Sequence, residues 1–175
     1  SVVDSDSPTF GSNVDDHLAV AGNHDLASIG RLGLEMFNSD AADANRWTST
    51  RLLDEHRDYL DALALCEQAD GFTLVHGSPR DPVWEYVVSA DSAQATFEDI
   101  STNWCLVGHS HIPFVCRESV NGVRFTETMD GSVEELGYGK LIINPGGVGQ
   151  PRDADPRAGY AVFDSASNTV THHRV

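Results

Sequence analysis

Residues 19–25, Ala19-Val20-Ala21-Gly22-Asn23-His24-Asp25, decide how this chain is read. A small apolar run leads into a glycine and then into three adjacent side chains able to bind a metal or move a proton. Alone, the stretch is also a plausible strand running into a polar turn, because Asn, Asp and Gly are ordinary turn residues. Two later stretches repeat the form. Phe72-Thr73-Leu74-Val75 runs into His76-Gly77-Ser78-Pro79, and Trp104-Cys105-Leu106-Val107 runs into Gly108-His109-Ser110-His111. Three times an apolar strand delivers histidine at its carboxyl end, which is where open α/β sheets build their sites.

Gly22-Asn23-His24-Asp25, Val75-His76-Gly77 and Gly108-His109-Ser110-His111, in that order and that strand-then-loop setting, resemble the last three of five motifs of calcineurin-like metallophosphoesterases. Asn144-Pro145-Gly146-Gly147-Val148-Gly149-Gln150-Pro151-Arg152 resembles the closing loop of the small bacterial and archaeal phosphodiesterase branch. The resemblance covers most of the chain from about Val20 onward. It implies an α/β fold, a two-sheet αββα sandwich. It implies a site for two divalent ions (Mn, Fe, Zn or Ni), with Asn23, His76 and His109 on one metal and His111 on the other. His24 resembles the family's general acid or phosphate-contacting histidine, with Asp25 orienting its ring. The implied activity is hydrolysis of a small phosphoester, foremost a phosphodiester, by in-line attack of a metal-bound hydroxide while His24 helps the leaving group. A nucleotide hydrolase of the diadenosine tetraphosphatase kind is the runner-up, and a homo-oligomer is in keeping with the family.

The chain also departs from the pattern. Family members begin with a strand ending in Asp-x-His and a second ending in Gly-Asp-x-x-Asp or Gly-Asp-x-x-Gly. Asp15-x-His17 matches the first by letters only, since it opens the strand leading to Asn23 rather than lying a βαβ unit earlier. The Asp and His of the first motif and the bridging Asp of the second are therefore missing, and the second ion keeps only His111. With Ser1 in place of Met, the expectation is a metallophosphoesterase domain that is N-terminally incomplete. A reading from another class stays open beside it: a non-catalytic truncated remnant or binding module.

The chemistry suits these residue types. Phosphoester hydrolysis needs an activated water and stabilised phosphoryl charge, which two metal ions ~3.5–4 Å apart supply together. Neutral imidazole and amide oxygen suit first-row ions. His109 and His111 are two apart and face one side of a regular strand, while Gly108 marks the strand's end and lets each reach a different ion. A histidine near neutral pKa can protonate a leaving alkoxide. Taken alone, His76 reads as hydrogen-bonded core. His56 reads as a solvated position on a helix, and His172-His173 as one inward and one outward residue of a strand. Arg80 and Arg152 lie on loops within reach of a substrate phosphate, yet a surface salt bridge is the expectation for both. The glycines at 146, 147 and 149 read as a tight turn lining the site, because no Lys-Ser/Thr follows as a P-loop requires.

Composition sets the frame. The 175 residues suit a single domain, 40% hydrophobic. A net charge of −16, from 27 acidic and 11 basic residues with Lys140 the one lysine, argues against a phosphate-neutralising nucleic-acid surface. The excess of Asp with almost no Lys resembles proteins of salt-loving organisms. No apolar run approaches the ~20 residues of a membrane span, and nothing resembles a signal peptide. Cys66, Cys105 and Cys116, without a C-x-x-C, read as buried reduced thiols, which suits the cytoplasm.

Along the chain, residues 1–13 read as a loop or disordered lead-in, followed by a strand over 17–21 and broken helical turns over 26–37. One helix is expected from Asp40 to Leu52, capped by Ser39, and a second from Asp54 to Cys66. Gln68 to Gly71 reads as a turn, and residues 83–88 as a short helix or aromatic-bearing segment. A further helix is expected over 92–100 with Asp91 as N-cap. Strands flank Asn121-Gly122, a strong hairpin signal; another spans 141–144, and 159–164 pairs with 169–175.

Overall fold

Three short apolar runs lie side by side in the computed structural model, which describes residues 2–4 and 17–175. Strands β3 (Phe72–Val75), β4 (Trp104–Leu106) and β8 (Leu141–Asn144) pair in parallel. All four residues of β8 are buried, as a parallel strand covered on both faces requires. β2 (Cys66–Ala69) extends this sheet on one side. The hairpin β5 (Phe114–Ser119) and β6 (Gly122–Glu127) extends it on the other, giving the order β2-β3-β4-β8-β5-β6. A second sheet holds β1 (Val2–Asp4), β7 (Val133–Glu135), β9 (Gly159–Asp164) and β10 (Thr169–Arg174), ordered β1-β9-β10-β7.

Side-chain alternation assigns the two faces. Leu141 and Ile143 pack with Val115, Ala161, Phe163 and Val170 in the layer between the sheets. Ile142, Cys105 and Cys116 point the other way, packing with Ala93 and Phe97 of the helix α4 (Ala90–Asp99). The remaining helices, α1 (Asn23–Ser28), α2 (Ser39–Ser49) and α3 (Asp54–Ala62), pack on one another through α1. The chain is thus mixed α/β with two facing sheets. No helix among the described residues is long and apolar enough to cross a membrane.

Several elements correct the sequence reading. Val2–Asp4, expected in a loop, pairs in parallel with Ala161–Phe163; Ser1 and residues 5–13 of the lead-in, like Asp15, lie outside the described residues. The strand expected over 17–21 shrinks to a single bridge between Val20 and Ala64. Asn38, not Ser39, caps α2, because its amide oxygen reaches Ala41 N at 2.9 Å. Ser89, not Asp91, caps α4, accepting from Ser92 N at 3.2 Å. The helix expected through Cys66 ends at Ala62, and Cys66 is exposed on β2 rather than buried. Its strand turns into β3 through Asp70-Gly71, both at positive φ (50° and 83°), the conformation of a type I′ hairpin turn. Of the two readings of residues 83–88 the helix fails and the aromatic-bearing segment holds, and Val133–Glu135 is a strand that nothing in the sequence announced.

Candidate active site

The site grows from the carboxyl ends of β3 and β4 and the start of α1. His76 follows directly on β3. Two residues after β4, Gly108 N donates to His76 O at 2.9 Å, tying the two strand ends together before His109. Asn23 is the first residue of α1, brought close because Gly22 carries no side chain: a Cβ there would stand 2.9 Å from His76 Cε1. Asp25 holds the same turn, its Oδ2 accepting from Gly22 N at 2.8 Å.

Three polar atoms meet at this point. His76 Nε2 lies 3.0 Å from Asn23 Oδ1 and 3.0 Å from His109 Nδ1. Burial pushes His76 down to about 4, with His111 and His24 nearby adding to the effect. Burial also pushes His109 down to about 4, aided by His76 and Arg152 and opposed by a polar contact with the Trp84 backbone. Both rings are therefore neutral at pH 7. A neutral imidazole carries one hydrogen, so Nε2 of His76 satisfies both neighbours poorly as a donor. His109 Nε2 is buried without a hydrogen bond of normal geometry.

That donor set fits a divalent cation. Two neutral imidazoles and an amide oxygen are ligands for first-row metals, and ligands on ~2.1 Å bonds at right angles stand about 3 Å apart. Among the described residues no group of three or more His, Cys, Asp and Glu side chains could hold a metal; the third donor here is an amide.

His111 does not bond to this trio. Its Nδ1 donates to the Gln150 carbonyl at 2.7 Å, which leaves the Nε2 lone pair available. The loop can approach because residue 147 is glycine, whose added Cβ would lie 3.0 Å from His111 Cβ. The regular strand expected through 109–111 is absent: φ is +57° at His109 and +59° at His111, a left-handed backbone costing of order 1–3 kcal/mol per non-glycine residue.

His24 opens on the same cleft, which Asn23, Phe37, Trp84, Tyr86, His109, His111 and Arg152 also line. Its orienting partner is not Asp25, which is engaged by the Gly22 amide. Instead His24 Nδ1 meets Asn45 Oδ1 at 3.3 Å, and Asn45, buried on α2, is anchored by donating to Ala41 O at 3.0 Å. An amide oxygen only accepts, so Nδ1 carries the hydrogen. Phe37 stands edge-on to the His24 ring at 5.1 Å, and Tyr86 stacks on His109 with centroids 4.0 Å apart.

The two loop arginines differ. Arg80 is held by Glu85, Nε to Oε2 at 2.8 Å, as the salt-bridge expectation has it. Arg152 has no carboxylate partner among the described residues. Its guanidinium lies 5.9 Å from the Tyr86 ring centroid, with Nη1 3.3 Å from Tyr86 Oη and Nη2 3.4 Å from Gln150 Oε1. Sequence reasoning missed Asn45, Phe37, Trp84 and Tyr86. Of these, Trp84 and Tyr86 fall in the aromatic-bearing segment expected over 83–88, and Asn45 left a trace as a polar residue three after Ala42 on the buried side of α2.

Comparison with known proteins shows the family of the chain. The family model of the calcineurin-like phosphoesterase superfamily domain matches residues 4–168. An uncharacterized protein of Methanocaldococcus jannaschii is 37% identical over 163 residues, which are 90% of this chain and 64% of that protein. The crystal structure of a metallophosphoesterase from Sphaerobacter thermophilus superposes with a TM-score of 0.80 at 46% identity, over 91% of this chain and 66% of that one. A hypothetical protein of Pyrococcus horikoshii shares the fold, with a TM-score of 0.66 at 17% identity over 90% of this chain and 62% of that one. The chain thus spans slightly less than two thirds of the length of each relative.

Proposed function

The chain belongs to the calcineurin-like phosphoesterase superfamily, and from that premise we propose that it is a metal-dependent phosphodiesterase acting at the His24–His109 cleft. The observation that carries the reading is the meeting of Asn23, His76 and His109 at 3.0 Å contacts. These three would hold one divalent cation, and His111 would present its Nε2 to a second. Bound there, such ions supply Lewis acidity toward a phosphoryl oxygen and an acidified water.

The chain's own residues do the rest. His24, with Nδ1–H held on Asn45, has Nε2 directed by that contact to serve the substrate. In the imidazolium form it gives its Nε2 proton to the departing alkoxide oxygen as the P–O bond breaks. Arg152 binds the non-bridging oxygens, since its guanidinium fork is unclaimed by any described carboxylate. Tyr86, Trp84 and Phe37 wall the cleft and exclude water from one side. Those aromatic rings favour the runner-up as well, a nucleotide hydrolase whose substrate base stacks on them.

The test is hydrolysis of bis(p-nitrophenyl) phosphate and of a dinucleoside polyphosphate with Mn²⁺ and after chelation. Metal-dependent turnover of the diester that drops at least roughly tenfold in kcat/KM in Arg152→Met supports the reading, one lost charge-assisted contact being about 1.5–3 kcal/mol. Faster turnover of the polyphosphate selects the runner-up. A non-catalytic binding module is the reading favoured by the absence of any carboxylate lining the cleft among the described residues; metal uptake without turnover of either substrate selects it.

A further inference from the structure

The loop carrying His109 and His111 is left-handed at both histidines, and a conformation of that kind persists only when its surroundings over-determine it. One side chain does so. Asn144, the last residue of β8, is wholly buried. Its Nδ2 donates to Gly108 O at 2.8 Å and to Ser110 Oγ at 3.0 Å, the groups flanking His109 on either side. Its Oδ1 accepts from Gly146 N at 2.9 Å, and its backbone carbonyl meets His172 Nε2 at 3.1 Å. Turned by half a rotation, the carboxamide would set its oxygen against the Gly108 carbonyl, so the bonding partners fix its orientation.

The clasp reaches both halves of the site. Gly108 O also accepts from Ser110 N at 2.6 Å, and Ser110 Oγ accepts from Ile112 N at 3.3 Å. The backbone from Gly108 to Ile112 therefore closes around Ser110, with His109 and His111 projecting on each side of it. Through Gly146 the same carboxamide anchors the segment whose Gly147 abuts His111 and whose Gln150 carbonyl holds the His111 ring. We propose that Asn144 is the positioning residue for the candidate metal-binding histidines: one buried carboxamide locks the strained His109–His111 loop and the Gly146–Gln150 loop to each other. The assignment depends on side-chain chemistry as well as size. A carboxylate of the same shape has no N–H for Gly108, and alanine leaves the Gly108 carbonyl and the Ser110 hydroxyl short of a buried partner.

The metal arm of the test rests on the proposed function and the second arm does not. Mn²⁺ is titrated calorimetrically into the wild type, Asn144→Asp, Asn144→Ala and the core variant Val170→Ala. Loss of a partner that orients a metal ligand costs 10–100-fold in affinity, so both Asn144 variants are expected to weaken Mn²⁺ binding by roughly that factor. Val170→Ala, which lowers thermal stability from the layer between the sheets, is expected to leave it unchanged. Wild-type affinity in Asn144→Ala, or an equal loss in Val170→Ala, overturns the assignment. If Asn144→Ala does not fold, Ser110→Ala removes one of the two acceptors, and affinity unchanged in that variant is equally fatal. Should the wild type take up no Mn²⁺, the proposed function falls but the clasp is still read in the metal-free protein. Asn144→Ala must then move the imidazole NMR signals of His109 and His111 and leave those of His173 in place; the reverse pattern refutes it.

Discussion

His109 and His111 stand two residues apart on a loop, and His172 and His173 stand side by side on β10; each pair sets two imidazoles close together in the sequence. On β10 the strand's alternation separates them. His172 turns into the core against Asn144 O, while His173 stacks on its cross-strand neighbour Tyr160 with centroids 5.1 Å apart. On the loop, two positive φ angles replace alternation, and His109 meets His76, which in turn meets Asn23, while His111 lines the same cleft. The difference teaches that spacing along the chain does not make a site. The backbone at the end of a strand does, together with the glycine at 22 and the amide at 144 that let the pieces approach and stay.

The sharpest way to break this comparison is to remove a histidine from each pair. His109→Ala should weaken Mn²⁺ binding at least about 100-fold, the upper end of what losing an orienting partner alone costs, whereas His172→Phe should keep wild-type affinity. Calorimetry on both variants checks it, and an equal loss in the two would erase the distinction.

Acid offers the next test. His76 and His109 are held at about 4 in the fold and titrate near 6.5 once unfolded. Between those values the unfolded chain binds more protons, so stability falls as pH drops from 6.5 toward 4. His172, lowered chiefly by burial, adds in the same direction. Urea midpoints at pH 7, 5.5 and 4.5 should therefore decline in the wild type and decline less in the double variant His76→Gln, His109→Gln. A parallel decline in both would locate the acid sensitivity elsewhere.

Smaller effects belong to the β10 pair. His172→Phe should cost about 1–3 kcal/mol of stability, because the Asn144 carbonyl loses a buried donor, read as a lower urea midpoint. His173→Ala should fall within about 0.5 kcal/mol of the wild type, as surface substitutions do. A larger loss at His173 would mean that its stack on Tyr160 matters as much as burial.

Much of this arrangement was legible beforehand. Apolar runs ending in histidine placed β3 and β4, Asn121-Gly122 placed the β5–β6 hairpin, and the resemblance supplied the residues that meet at His76. The turn expected within Gln68 to Gly71 is present at Asp70-Gly71, but the apolar spacing of Leu60, Leu63 and Leu65 suggested a helix as far as Cys66, where the chain is already in β2. Leu63 breaks out of α3 with ψ at 134°, and tertiary pairing with β3 takes over. Asp25 next to His24 invited a carboxylate–imidazole pair, yet the start of α1 has an open amide at Gly22 and claims the carboxylate. Asn45 and Tyr86 act on residues 21 to 66 positions away, and no local pattern marks a role set by so distant a neighbour. Asn144 opens the loop over 144–152, but its hold on Gly108, 36 positions earlier, left no local sign.

The most direct test of the account is the divalent metal content per chain of the purified protein, measured by elemental analysis after desalting, beside His109→Ala and Asn23→Ala. The account predicts at least about one ion per wild-type chain and a near-complete loss in both variants. A wild type without metal, or variants that retain it, would contradict the claim that Asn23, His76 and His109 form a cation site.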